Sequence, residues 1–310
     1  MTDPVTPTRG DLPTERVNPA SVHIDEMSSR EIVVLINAED ATVAPAVQTQ
    51  LDEVARVIDL AVERFRRGGR LFYVGCGTSG RLGVLDAAEC PPTFGTDPEL
   101  VQGIIAGGRA ALVRSSEGKE DASEDGAAAM DEHGVCADDM AVGIAACGLT
   151  SYVHGALARA HELGAATVLI TCNDAIRSAV QVDVVVAPDV GPEVLAGSTR
   201  MKAGTATKMV LNMITTGSMI RLGKVYGNLM VDLRARSDKL RRRAVRIFNA
   251  VTGATDDAEA WRWIQSADGR VKTAIVMYQL GLSRSAAQKR LDGCGGFLRN
   301  ALDTANRDRV

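Results

Sequence analysis

The stretch LFYVGCGTSGRLGVLDAAEC, Leu71 to Cys90, decides the fold of this chain. It begins with an apolar run of strand-forming residues, continues through a glycine-rich turn and ends in a helical pattern. The turn holds Gly75, Gly77 and Gly80 in the spacing G-x-G-x-x-G, which lets a phosphate approach the N-terminus of the next helix. The stretch therefore predicts a strand, a phosphate-binding turn and a helix.

Strand and helix patterns alternate after this stretch. The further predicted strands are LVQGIIAG, DMAVGIAA, ATVLITC and VDVVVAP, and the helices between them include EDASEDGAAAMDEHG and SYVHGALARAHELG. The strands are mainly apolar and rich in β-branched residues, which is typical of parallel strands buried on both faces. We therefore predict an α/β domain with a doubly wound, mostly parallel sheet of five strands.

The segments on either side of this domain lack strand patterns. Residues 1 to about 20 are polar and rich in proline, so we expect a loosely docked arm, with order from near Ser21. Helical spacing follows from Ser28 to Gly69 and dominates again after Val225. The predicted units are an N-terminal arm with helices at 1–60, the α/β domain at 61–224 and a small helical C-terminal unit at 225–310.

The composition excludes several classes of partner. The 310 residues carry a net charge of −4, so no overall basic field favours nucleic acid or an anionic membrane. Six cysteines without a C-x-x-C pair and four histidines without metal-ligand spacing indicate neither a metal site nor a disulfide framework. The arginine-rich stretch at 234–246 lacks interleaved aromatic residues, which favours a solvated face or a subunit contact over nucleic-acid binding. Without a signal peptide or a membrane-length apolar run, we expect a cytoplasmic protein.

The strand after the glycine-rich turn argues against a nicotinamide dinucleotide. Such a site needs an acidic residue at the carboxyl end of that strand to hold the ribose hydroxyls. Here the strand ends in Ala106-Gly107-Gly108, and Asp97 and Glu99 precede it. The hydroxyls of the turn can instead donate hydrogen bonds to a phosphomonoester.

Two later segments resemble the first turn in character. GIAACGLTSYVHGAL again joins a strand to a helix, and GSTRMKAGT opens a long helix. Either turn alone is explained by a tight connection, but several turns at the carboxyl ends of parallel strands converge on one crevice. The candidate phosphate-binding residues are Gly77, Thr78, Ser79, Gly80, Arg81, Cys147, Gly148, Ser198, Thr199 and Lys202.

Longer motifs give the chain a family resemblance. GCGTSGRLGVLDAAECPPTFG, GPEVLAGSTRMKAGTATKMVLNMITTG and GKVYGNLMVDL resemble the N-acetylmuramic acid 6-phosphate etherases, which are sugar isomerase (SIS) domain proteins of bacterial cell-wall recycling. The resemblance runs from Thr14 almost to the C-terminus and implies a homodimer that binds a sugar phosphate. In the second turn, Cys147, Leu149 and Ser151 replace the family's usual serine, arginine and proline.

The resemblance also implies a chemistry. The family cleaves the ether between the sugar C3 and lactate, giving N-acetylglucosamine 6-phosphate and D-lactate. Opening of the sugar to its aldehyde acidifies the C2 proton, so lactate can leave by elimination and water can add at C3, with acid/base groups and no cofactor. Glu89 of DAAEC matches the family's proton donor to lactate, and Glu120 of EGKED matches its second acid/base group.

Two other functions use the same fold. A non-catalytic sugar-phosphate sensor resembling the glucokinase regulatory protein is one alternative, and the altered second turn favours it, whereas the presence of both Glu89 and Glu120 favours an enzyme. An aldose–ketose isomerase would also use a base at C2, but it does not account for the ECPPTFG match.

Overall fold

The computed structural model describes residues 12–114, 118–233 and 237–307. The chain divides into two compact units: unit 1 comprises Met1–Ala88 and Pro98–Thr215, and unit 2 comprises Glu89–Asp97 and Thr216–Val310. Residues 1–11 of the predicted arm and 234–236 of the arginine-rich stretch lie outside the described ranges. The sequence-based boundaries at residues 60 and 224 stay predictions that limited proteolysis can test.

Unit 1 is built on a five-stranded, all-parallel sheet in the order β2-β1-β3-β4-β5. The strands are β1 Leu71–Gly75, β2 Val101–Ile105, β3 Met140–Ile144, β4 Ala166–Ile170 and β5 Val184–Val186. Gly75 is in register with Ile105 on one side and Ile144 on the other, so three carboxyl ends are level. The five-stranded parallel sheet that we predicted is confirmed.

Helices cover both faces of this sheet. The helices of this part of the chain are α1 Ser29–Asp40, α2 Val43–Gln48, α3 Leu51–Arg66, α4 Gly77–Phe94, α5 Ser123–Glu132, α6 Ser151–Glu162 and α7 Lys202–Arg221, with short 3-10 turns at Pro13–Glu15, Pro19–Ser21, Ile24–Glu26, Gly108–Leu112 and Asp174–Ser178. Phe72 and Val74 of β1 pack in one cluster with Leu157 of α6. Tyr73 points the other way, where Gly83 of α4 approaches it. The sheet is therefore doubly wound, as predicted.

Helices α5 and α6 approach each other through two glycines. A methyl group at Gly126 would lie 2.0 Å from Tyr152 O, and one at Gly155 would lie 2.0 Å from Ser123 O. Both positions therefore exclude any side chain, and the backbones of the two helices are in direct contact.

Asp139 joins the start of β3 to the start of β1. Its buried carboxylate accepts hydrogen bonds from Arg70 N (2.7 Å), Nε (3.2 Å) and Nη2 (2.7 Å), and from Cys136 N (3.0 Å). Burial raises the pKa of Asp139, but these hydrogen bonds outweigh burial and hold its pKa below the ordinary value. The ionised carboxylate is therefore part of the fold.

The N-terminal segment departs from the prediction of a loosely docked arm. Leu12 and Thr14 are 2% and 1% exposed, and Gly197 N donates to Thr14 O at 2.9 Å. The buried Asn18 side chain donates to Glu39 Oε2 at 2.9 Å and to Pro192 O at 3.2 Å. The prediction was wrong from residue 12 onward, because these contacts join residues far apart in sequence.

Helix α4 extends beyond the helical pattern that we predicted within the stretch Leu71 to Cys90. It includes Pro91 and Pro92 and ends at Phe94. Gly95 then caps it with φ 64°, and its N–H donates to Pro91 O at 2.9 Å. Since a methyl group at Gly95 would lie 2.2 Å from Asp232 O, glycine is required at this cap.

Unit 2 is a helical unit with its own apolar core. It contains β6 Val225–Tyr226, β7 Leu229–Met230, α8 Asp238–Thr252, α9 Asp257–Ser266, α10 Val271–Leu280, α11 Arg284–Gly293 and α12 Leu298–Arg307. We predicted no strand after Val225, and the antiparallel pair β6 and β7 corrects that prediction. Its two-residue turn is Gly227-Asn228, with φ 57° at Gly227, a sequence signal for a hairpin.

Lys272 of α10 fixes the loops of unit 2. Its buried Nζ donates to Gly223 O and Gly296 O, both at 3.0 Å, and lies 3.1 Å from Asp232 Oδ2. Burial lowers the pKa of Lys272, and the Asp232 carboxylate opposes that shift. Three separate loop segments are thus tied to one ammonium group.

Within the described ranges, no helix is both long enough and apolar enough to cross a membrane.

Candidate active site

A cavity of about 710 Å³ in unit 1 opens where β1 and β3 end. Its lining residues are Leu12, Glu15, Cys76, Gly77, Thr78, Ser79, Arg81, Glu120, Ile144, Ala145, Ala146, Cys147, Thr150, Gly197 and Thr199. The carboxyl ends of parallel strands are where open α/β sheets bind ligands. The structure therefore brings seven of the predicted site residues to one cavity: Gly77, Thr78, Ser79, Arg81, Glu120, Cys147 and Thr199.

The N-terminus of α4 forms the anion-binding part of this cavity. The first three N–H groups of a helix have no partner within it, and in α4 they belong to Gly77, Thr78 and Ser79, which all line the cavity. The guanidinium of Arg81, whose Nε donates to Leu112 O at 3.1 Å, adds a positive charge. Gly80 has another role, since a methyl group there would lie 2.6 Å from Gly75 O.

The second turn is held rigidly by its carbonyl groups. Thr171 Oγ1 donates to Ala146 O at 3.2 Å and Asn173 Nδ2 donates to Cys147 O at 3.0 Å, while His154 Nε2 contacts Gly148 O at 2.7 Å. Gly148 itself has φ 79°, in the left-handed region. The half-buried Cys147 therefore lines the cavity from a turn that its neighbours fix.

Glu120 is placed at the cavity by its own backbone. Its carbonyl accepts the N–H of Tyr152 in the first turn of α6 at 2.9 Å. Its Oε1 lies 4.0 Å from the position that a methyl group on Gly77 would take. The carboxylate is exposed and adjoins the buried Cys76, the pKa of whose thiol is raised to about 12 by burial and by the charges of Glu120 and Asp121. A carboxylate and a neutral thiol therefore lie beside the anion-binding turn.

The predicted residues of the third segment have different positions. Thr199 lines the cavity, whereas Ser198 and Lys202 are not lining residues. Lys202 is buried, and its Nζ lies 2.6 Å from Glu39 Oε2. This hydrogen bond is the main cause that lowers the pKa of Glu39. The charge of Lys202 is thus balanced inside the fold.

The N-terminus of α7 is occupied by a protein side chain. Glu193, which is 0% exposed, accepts the N–H groups of Lys202 at 2.9 Å and Ala203 at 3.0 Å. A buried carboxylate at this position satisfies the helix end in the way that a bound anion would.

Glu89 is an exposed residue of α4 and belongs to unit 2. It is not a lining residue of the unit 1 cavity. The role that the family resemblance implies for Glu89 therefore stays a prediction.

Several lining residues were not found from the sequence. Thr150, the N-cap residue of α6, lines the cavity, and its side chain makes no capping hydrogen bond. A threonine directly before a helical pattern could have indicated it. Leu12, Glu15 and Gly197 line the cavity through long-range packing, for which the local sequence carries no signal. No group of three or more His, Cys, Asp or Glu suited to a metal ion occurs among the described residues.

Comparison with known proteins identifies a matching family model, relatives by sequence and a solved structure that is similar to part of the chain. Residues 53–161 match the model of the glucokinase regulatory protein N-terminal SIS domain. The N-acetylmuramic acid 6-phosphate etherase of Salinibacter ruber is 52% identical over 294 residues, which cover 94% of each chain. The enzyme of the same name from Synechocystis is 50% identical over 297 residues, covering 96% of this chain and 97% of that one. The solved phosphoheptose isomerase of Neisseria gonorrhoeae is 16% identical, with a TM-score of 0.45, over 61% of this chain and 97% of that one.

Proposed function

Because this chain belongs to the N-acetylmuramic acid 6-phosphate etherase family, we propose that it cleaves the C3 lactyl ether of N-acetylmuramic acid 6-phosphate. The products are N-acetylglucosamine 6-phosphate and D-lactate, and the enzyme is a carbon–oxygen lyase. The observation that supports this activity best is one cavity that combines the N-terminus of α4 with the carboxylate of Glu120.

The phosphate group fits the α4 end of the cavity. The N–H groups of Gly77, Thr78 and Ser79 and the guanidinium of Arg81 supply donors and positive charge. The hydroxyls of Thr78, Ser79 and Thr150 supply further donors. Holding the phosphate here positions the sugar carbons for proton transfer.

The reaction requires proton transfers at defined atoms. An alkoxide is a poor leaving group, so direct hydrolysis of the ether is slow. After the ring opens, C1 is an aldehyde and the C2 proton can be removed by a carboxylate. The electron pair then forms the C2–C3 double bond as the C3–O bond breaks, and lactate takes a proton as it departs. Water adds at C3 and a proton returns to C2, which restores the sugar.

Glu120 is the group that we assign to the C2 proton or to the water. Its carboxylate lines the cavity next to the anion-binding turn. Glu89 is assigned to the departing lactate on the family resemblance alone. The two assignments make different predictions for exchange at C2.

The test is D-lactate release from N-acetylmuramic acid 6-phosphate in deuterated water. We expect Glu120→Gln to lower release at least about 100-fold, because general acid–base groups contribute on that scale. Loss of deuterium incorporation at C2 in this variant assigns Glu120 to the C2 proton, and retained incorporation assigns it to the water. Glu89→Gln should lower release while keeping exchange at C2. The control is Glu124→Gln, an exposed glutamate of α5 outside the cavity lining. Full activity of Glu120→Gln would refute its assignment.

A non-catalytic sensor predicts a different result in the same assay. The sugar phosphate would raise the unfolding temperature while wild-type protein released no lactate. Identity of about half of all positions with etherases over nearly the whole chain favours the enzyme.

The resemblance also supports a cytoplasmic homodimer. Sedimentation equilibrium of the purified protein tests the dimer, and a monomer at the concentrations used in the assay would contradict it.

A further inference from the structure

A segment near the N-terminus forms part of the cavity wall. Residues 12–21 are held by the hydrogen bond from Gly197 N to Thr14 O and by the Asn18 side chain, which bridges Glu39 and Pro192. Leu12 and Glu15 of this segment line the cavity. The segment therefore contributes side chains to the site as well as to packing.

The carboxylate of Glu15 lies over Gly197 at the cavity. A methyl group at Gly197 would lie 3.1 Å from Glu15 Oε2 and 3.8 Å from Oε1, and Gly197 has φ 76°. Glu15 is exposed, and among the described residues no lysine, arginine or hydrogen-bond donor pairs with its side chain. Within the part of the chain that the structure describes, both carboxylate oxygens are therefore available to accept hydrogen bonds from a ligand.

The charges of the cavity limit what Glu15 can bind. A carboxylate repels a phosphate, which belongs with the α4 N-terminus and Arg81. Sugar hydroxyls are donors, and a carboxylate accepts hydrogen bonds from them strongly. Glu120 is the other lining carboxylate and is assigned to proton transfer, so Glu15 is available for binding.

We propose that Glu15 is a specificity-determining residue, whose carboxylate accepts hydrogen bonds from the sugar hydroxyls and so distinguishes a sugar phosphate from phosphate alone. The proposal rests on the proposed function for the identity of the sugar.

The test measures two ligands by calorimetry: N-acetylglucosamine 6-phosphate and inorganic phosphate. We expect Glu15→Ala to weaken binding of the sugar phosphate about tenfold, which corresponds to the loss of one hydrogen bond to a charged group. Its affinity for phosphate should stay within about twofold, since that ligand does not reach Glu15. Glu26→Ala, an exposed glutamate of the same region outside the cavity lining, is the matched control and should change neither affinity.

A second variant and a kinetic readout separate binding from folding. Glu15→Gln keeps the shape of the side chain and removes its charge, and we expect an intermediate loss of sugar-phosphate affinity. In lactate release, Glu15→Ala should raise KM more than it lowers kcat. Equal weakening of both ligands, or an unchanged affinity for the sugar phosphate, would overturn the proposal. Wild-type protein that binds the sugar phosphate through Glu15 without releasing lactate would refute the etherase activity and leave this proposal standing.

Discussion

Replacing Cys147 by serine is expected to tighten substrate binding. The side chain lines the cavity, and three hydrogen bonds to the carbonyls of residues 146–148 hold the turn, so the substitution exchanges only sulfur for oxygen. A thiol is a weak donor, whereas a hydroxyl donates well to a charged phosphate oxygen. A hydrogen bond to a charged group contributes about 1.5 to 3 kcal/mol, and half-burial of the site places the gain near the lower end. That gain lowers KM about tenfold.

The assay is the substrate dependence of D-lactate release by Cys147→Ser. We expect kcat to stay within about twofold, because the turn binds the phosphate and does not touch the reacting carbons. Cys136→Ser is the matched control, since Cys136 is exposed, lies outside the cavity lining and holds Asp139 through its backbone N–H. A KM for Cys147→Ser equal to or above that of wild type would refute the phosphate-binding role of the second turn.

Three substitutions test contacts that lie within unit 1 or within unit 2. Asp139→Asn should lower the free energy of unfolding by about 3 kcal/mol at neutral pH, because it breaks a buried ion pair. Since the pKa of Asp139 is lowered in the folded state, its contribution is present above the ordinary aspartate pKa and is lost as the pH falls, so urea titrations of variant and wild type should converge in acid. Gly155→Ala should lower Tm by about 5 °C, because its methyl group meets Ser123 O; an unchanged Tm would contradict the close approach of α5 and α6. Lys272→Met should destabilise unit 2 by about 3 kcal/mol in thermal unfolding, because it removes the cation that pairs with Asp232. The control is Lys289→Met at an exposed lysine, and equal effects of the two substitutions would contradict the role of Lys272.

The strands were predictable because their signal is local. Each of the five strands lies in a mainly apolar run, four of the strands are buried along their whole length, and short turns rich in glycine bound several of these runs. The same reasoning located the first turn, since a helix N-terminus after a parallel strand is a local arrangement. Six of the ten residues predicted for phosphate binding line the cavity, and so does Glu120, which was assigned by resemblance. Five of these six lie in turns where a predicted strand is followed directly by a predicted helix.

The remaining features depend on partners far away in the sequence. From the sequence we predicted that Lys202 binds phosphate. In the structure its ammonium group donates a hydrogen bond to Glu39, which lies 163 residues earlier in the chain. Asn18 docks the N-terminal segment through Pro192, 174 residues later. Contacts over such sequence distances depend on how the whole unit folds, and no local sequence motif predicts them. Glu15 was missed for this reason.

The carboxylate of Glu193 occupies the N-terminus of α7 from within the protein. Because it already satisfies the N–H groups of Lys202 and Ala203, the end of α7 stays ordered and charge-balanced whether or not substrate is present. At the start of α4, by contrast, no carboxylate of the described residues accepts the N–H groups of Gly77, Thr78 and Ser79. Substrate should therefore slow amide hydrogen exchange at residues 77–79 and leave it unchanged at 202–203, so the two helix ends differ in which one responds to the ligand.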